Sequence, residues 1–222
     1  MKDMWILWDN SWSVGQSLFK DKIRPFLKGL IRSALLNVGP NGTHIGILTF
    51  STQAQTRVLL ELGELQAVDA LINYLDSLNY NNISGDGTRT GMALKLADER
   101  FSKQSPRNYR PYVEDVVMIF TGSKPIRHRG EDTFGDKYNS TRYGEGLLAK
   151  DRAQSLKDNN IIVVGLVVGR ENKLNKFRDN VKEWSTEGKY FETNKDSLQR
   201  SIMYRLIKSF MSVYCIAPVE KP

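Results

Sequence analysis

Residues 4–13 read Met4-Trp5-Ile6-Leu7-Trp8-Asp9-Asn10-Ser11-Trp12-Ser13. The first half is a strand-length apolar run, and the second half is abruptly polar. A strand followed at once by short oxygen-bearing side chains is the arrangement that builds a ligand crevice in an open α/β sheet, where ligands lie beyond the carboxyl ends of the strands. Asp9, Ser11 and Ser13 alternate, so an extended turn aims all three side chains the same way. One carboxylate with two hydroxyls is an all-oxygen donor set suited to a hard divalent cation such as Mg2+ or Mn2+. The same residues also suit a helix N-cap, where Asp and Ser satisfy free N–H groups.

Working outward, apolar runs at His44–Phe50, Asp115–Thr121 and Ile161–Val168 join Met4–Trp8 as predicted strands. The later two are apolar on both faces, the pattern of strands buried between helical layers. Amphipathic stretches alternate with them near Gln16–Leu36, Leu65–Ser77, Thr90–Phe101, Glu145–Asp158 and Asp196–Phe210. In the first, Leu18, Phe19, Ile23, Phe26, Leu27, Leu30 and Ile31 recur at helical spacing, while Pro25 predicts a kink or a late start. Thr56–Leu60 reads as a short edge strand entered by a hairpin. The alternation predicts an α/β, doubly wound, mainly parallel sheet with one short antiparallel edge strand and helices on both faces. We expect one domain over residues 1–216, with 217–222 as a tail or linker.

A second glycine-bearing loop runs into a helix: Gly85-Asp86-Gly87-Thr88-Arg89-Thr90-Gly91-Met92-Ala93-Leu94. It supplies the Thr88 hydroxyl and small residues that let backbone approach a site closely. Together with Asp9-x-Ser11-x-Ser13 it resembles the metal-ion-dependent adhesion site of von Willebrand factor A domains. There an Asp-x-Ser-x-Ser loop, a threonine loop and an aspartate after the fourth strand hold one cation. Element order and spacing resemble that family along essentially the whole chain. The resemblance implies Asp9, Ser11, Ser13 and Thr88 as metal ligands and Mg2+ or Mn2+ as the ion.

One position departs from the pattern. After the fourth strand the family reads Thr-Asp-Gly, and this chain reads Thr121-Gly122-Ser123. Substitutes for the missing carboxylate are Asp86, the Ser123 hydroxyl, or Glu131, Asp132 and Asp136 in the irregular 123–143 stretch. The family's ligands add a carboxylate to the ion, and the rim of the face sets specificity. Trp12, Arg89, Lys124, Arg127 and Arg129 are the expected rim, with Trp12 either an aromatic anchor or packed beneath the neighbouring loop.

The resemblance implies an extracellular adhesion or matrix module whose partner is a matrix protein such as collagen. The alternative is a structural matrix protein with a decayed metal site, binding acidic or sulfated polymers through its basic surface. Thirty-two Lys and Arg against 25 Asp and Glu give a formal charge of +7, which attracts anionic partners. The excess is spread along the chain, without the aromatic–basic interleaving of a nucleic-acid binder. No apolar run approaches membrane-spanning length. Asn41, Asn82 and Asn139 begin Asn-x-Ser/Thr triplets, candidate N-glycosylation sites consistent with export. The N-terminus lacks a leader, so a secreted form implies one already removed. The single cysteine, Cys215, has no internal disulfide partner; a partner outside the chain, a free thiol and a merely tolerated cysteine all stay open. Two histidines, His44 and His128, and no phosphate-binding loop argue against an enzyme.

Overall fold

In the computed structural model, residues 1–102, 110, 112–128, 130–139, 144–169, 177–194, 205, 206 and 208 are described. They form a six-stranded sheet, β1 (Lys2–Asp9), β2 (His44–Phe50), β3 (Arg57–Leu60), β4 (Glu114–Thr121), β5 (Ile162–Gly169) and β6 (Tyr190–Asn194). The order is β3-β2-β1-β4-β5-β6, parallel throughout except for the antiparallel β2–β3 pair. This is the doubly wound sheet with one antiparallel edge strand expected from the sequence. Strand β6 was not foreseen, because Tyr190-Phe191-Glu192-Thr193-Asn194 is short and mixed in polarity.

All eight residues of β1 are buried, because the strand is flanked by β2 and β4 and covered by helices on both faces. Its side chains divide by alternation. Met4, Ile6 and Trp8 join one core with Phe19, Leu27 and Leu30, whereas Trp5 and Leu7 join a second with Leu94, Ala153 and Val181. Strand β4 splits the same way, with Val116, Met118 and Phe120 on one face and Val117 and Ile119 on the other. Two apolar faces per strand explain the unbroken hydrophobic runs.

Among the described residues the helices are α1 (Gln16–Leu18), α2 (Arg24–Arg32), α3 (Val68–Ser77), α4 (Tyr80–Ile83), α5 (Thr90–Ser102), α6 (Gly144–Asp158) and α7 (Arg178–Trp184). Between α1 and α2 the chain makes a π-helical turn, Phe19–Ile23, and Pro25 stands in the first turn of α2. Proline has no N–H to close a helical hydrogen bond, and the widened turn just before it absorbs the interruption while Phe19 and Ile23 stay buried. Helices α4 and α7 are too short for a periodic signature. Of the helix expected over Asp196–Phe210, only Arg205, Leu206 and Lys208 are described; they are helical, and Leu206 is fully buried in the first core. Cys215 and residues 217–222, expected as a tail or linker, lie outside the described residues.

The amino end of the sheet carries a polar row. Asp3 stands in register with His44 on one side and Asp115 on the other. Arg110 donates to Asp3 Oδ1 from Nε at 2.9 Å and from Nη2 at 2.6 Å. Asp115 has no such partner for Oδ1. Burial, reinforced by the Asp3 carboxylate and opposed by Arg110, pushes its carboxyl up to about 7. No helix among the described residues is long and apolar enough to cross a membrane.

Candidate functional site

The carboxyl end of β1 is tied to its neighbours before the chain turns. The Asn10 amide donates to the Phe50 carbonyl at 2.9 Å. Asp9, fully buried, accepts the Ser11 amide on Oδ1 at 2.9 Å, and on Oδ2 the Thr121 hydroxyl at 2.8 Å and the Gly122 amide at 3.1 Å. One carboxylate thus shapes the turn after β1 and fastens it to the end of β4. It uses three of its roughly four acceptor positions to do so.

Ser11 forms a bridge with Gly85, and the Trp12 amide donates to the Gly85 carbonyl at 2.9 Å. The Tyr80 hydroxyl, from α4, donates to the Ser11 carbonyl at 3.1 Å. These contacts turn three serine hydroxyls onto one point. Ser11 Oγ lies 2.8 Å from Ser13 Oγ and 3.0 Å from Ser123 Oγ, and Ser13 and Ser123 are themselves in hydrogen-bond contact. Above them opens a cavity of about 340 Å³. Ser11, Ser13, Thr88 and Ser123 line it, together with Asp86 and Gly122. Its remaining walls include Trp12, Lys124, Ile126, His128 and Phe177.

The threonine loop is held by backbone. Thr88 and Ile126 exchange both amide–carbonyl hydrogen bonds, at 3.1 and 2.9 Å, and the Arg89 amide donates to Ser51 at 3.0 Å. A Cβ on Gly87 would sit 3.0 Å from the Ser51 carbonyl oxygen and 3.3 Å from the His128 ring, so the two loops approach this closely only because residue 87 has no side chain.

Ser11, Ser13, Thr88, Asp86 and Ser123, distant in sequence, therefore meet at one opening, with Asp9 hydrogen-bonded to Ser11 and Gly122 rather than on the cavity wall. Trp12 stands at the margin, 64 % exposed, and Lys124 is exposed beside it. Three residues expected at or near the rim do other work. Arg89 is fully buried: it pairs with Glu145 and Glu131, because its helix-start position points inward between α5 and α6. Arg127 is half-buried and braces its own loop, donating to the carbonyls of Glu131 at 2.8 Å and Asn139 at 3.3 Å. Glu131 does not line the cavity, and its oxygens accept Gln53, His128 and Arg89. Although burial pushes its carboxyl upward, the amides of Gln53 and His128 and the Arg89 guanidinium bring it below the usual carboxylate range.

Asp132 caps the Phe134 amide at 2.8 Å, and Asp136 is exposed on a 3-10 turn, Asp136–Tyr138; neither lines the cavity. Arg129 lies outside the described residues. The side chains of Asn41, Asn82 and Asn139 are exposed. Sequence reasoning did not find Tyr80, Thr121, Ile126 or Phe177, whose parts depend on contacts across the fold. Only Thr121, at the polar end of an apolar strand, left a local signal.

The chain matches the von Willebrand factor type A domain profile over residues 3–204. It belongs to that family. Among its relatives, human matrilin-4 is 32 % identical over 126 residues, which are 55 % of this chain and 19 % of that protein. The human collagen alpha-1(XX) chain is 31 % identical over 122 residues, 55 % of this chain and 9 % of that protein. The chain thus corresponds to less than a fifth of either relative's length. Among solved structures, proximal thread matrix protein 1 from the mussel byssus with a zinc-occupied MIDAS motif superposes with a TM-score of 0.71 at 18 % identity, covering 93 % of this chain and 47 % of that one. Manganese-loaded Plasmodium vivax TRAP protein superposes with a TM-score of 0.62 at 17 % identity, covering 91 % and 73 %. At such identities the likeness is one of fold. Two members of the fold thus carry divalent cations, one of them in the named motif.

Proposed function

We propose that this A domain is an extracellular, non-catalytic adhesion or matrix module that binds a matrix protein such as collagen through a divalent cation at the carboxyl end of its sheet. The observation that carries the reading is the convergence of Ser11, Ser13 and Ser123 hydroxyls, with Thr88, at one open cavity whose Ser11 and Gly122 amides are held by Asp9. Every donor is a hard oxygen, the set that suits Mg2+ or Mn2+, so the residues present fit the ion. Ser11, Ser13 and Thr88 would hold it from the cavity wall, Asp9 would take part through its one remaining acceptor position, and Ser123 supplies an oxygen beside the position where the family has a carboxylate. Such an ion, carrying little compensating negative charge, favours an acidic partner group, and Trp12 and Lys124 stand where that partner would lie. The matrilin and collagen relatives support a matrix setting, and the exposed Asn41, Asn82 and Asn139 suit glycosylation in export.

The test is surface plasmon resonance of the chain over immobilised collagen in Mn2+ and in EDTA. Binding that EDTA removes is expected; binding indifferent to EDTA eliminates the ion from the mechanism. Gly122 and the charge of +7 favour a second reading, attachment to acidic or sulfated polymers through the basic surface. Heparin binding that collapses with added salt and ignores EDTA would establish it.

A further inference from the structure

We infer that buried Arg89 is the positioning residue of this face, a staple that fixes the outer wall of the cavity to the body of the domain. The inference rests on the reading of the cavity as the ligand site. The guanidinium reaches three acceptors in three directions. Nε donates to Glu145 Oε2 at 2.9 Å, Nη1 to Glu131 Oε2 at 3.1 Å, and Nη2 to the Asp132 carbonyl at 2.7 Å. Glu145 belongs to α6 and also accepts the Met92 amide of α5 at 3.0 Å, so one end of the staple is set in packed helices.

The other end is the loop that follows β4. Glu131 gathers it by accepting the amides of Gln53 at 2.7 Å and His128 at 2.9 Å, and Gln53 Oε1 accepts the Asp132 amide at 2.8 Å. The Phe134 ring covers the guanidinium, with Cζ 5.5 Å from its centroid. Between the end of β4 and this anchored stretch lie Ser123, Lys124 and Ile126, and Ile126 is hydrogen-bonded to Thr88. Arg89 therefore sets where one wall stands relative to the serine hydroxyls, without touching the cavity itself. A planar fork with five donors satisfies acceptors arranged this way, and a lysine ammonium on a flexible stem does not. The wall is consequently built before any ligand arrives.

The experiment compares the full chain with Arg89→Lys, Arg89→Met and Glu131→Gln by amide hydrogen exchange, alongside Mn2+ titration followed by the free-ion electron paramagnetic resonance signal. The amides of Gln53, Ile126, His128 and Asp132 report on the staple; those of Ile6, Leu7 and Ile119 report on the sheet. Both Arg89 variants should raise exchange at the four reporters at least tenfold, with sheet amides unchanged and Mn2+ affinity reduced several-fold. Glu131→Gln, which retains an acceptor oxygen, should show a smaller rise. Rescue by Arg89→Lys would overturn the inference, as would exchange that rises equally through the sheet or not at all at the reporters. If Mn2+ binds none of the proteins while the reporters respond as expected, the staple stands and the cation reading falls.

Discussion

Gly122 and Val168 meet at the ends of adjacent strands so closely that a Cβ on Gly122 would lie 2.7 Å from the Val168 carbonyl oxygen. The family's second carboxylate would have to grow from this position. Its absence is matched by this close approach of the Val168 carbonyl at the cavity's edge, and the neighbouring Ser123 hydroxyl reaches Ser11 and Ser13 instead. Introducing Gly122→Asp should not rebuild the family site. Forcing the side chain against backbone should destabilise the domain by about 1–3 kcal/mol, the range for overpacking. Urea denaturation and Mn2+ calorimetry check this; unchanged stability with a gain in Mn2+ affinity would refute it.

Asp9 combines a structural and a proposed ligand role, and two variants separate them. Asp9→Ala should abolish Mn2+ binding and lower stability, because each buried donor left without its acceptor costs about 1–3 kcal/mol. Asp9→Asn retains one acceptor oxygen and should recover part of the stability but not the ion. Cation affinity surviving in Asp9→Ala would end the metal proposal.

Trp12 should behave in the opposite way. With 64 % of its surface exposed, Trp12→Ala should leave unfolding free energy within about 0.5 kcal/mol of the parent. It should weaken adhesion to the matrix ligand, as loss of an aromatic contact does. Thermal unfolding and surface plasmon resonance read the two effects. A large loss of stability would mean that the indole packs rather than presents.

The far end of the sheet gives a pH prediction. Asp115 has its carboxyl raised from 3.8 to about 7, by burial and then by Asp3. The folded state therefore holds this proton more tightly than the unfolded state, and stability falls as pH rises from about 4 to about 7. Asp115→Asn should flatten that slope and raise the urea midpoint at pH 8 more than at pH 5. Equal effects at both pH values would contradict the assignment.

Much of this architecture was legible in the chain. Met4–Trp8 and Val116–Phe120 are apolar on successive residues, which commits them to the middle of a covered sheet wherever the helices lie. Asp9, Ser11 and Ser13 alternate directly after the first strand, so their common direction follows from local geometry. The Gly-x-Gly-Thr loop likewise announced a close approach before its partner was known.

Charged and irregular residues carried no such instruction. Arg89 reads as a surface cation beside Thr88, yet it is buried because Glu145 and Glu131, 56 and 42 residues later, come back to meet it. Tyr80 reaches the Ser11 carbonyl only through a contact across the fold. The sequence by itself determined the parallel sheet and the hydroxyls after β1, since strand burial and side-chain alternation are local properties. Tertiary structure alone decided which charges face solvent, which brace the wall, and that Gly122 stands against the Val168 carbonyl, because pairing and close approach are properties of neighbours far away in the chain.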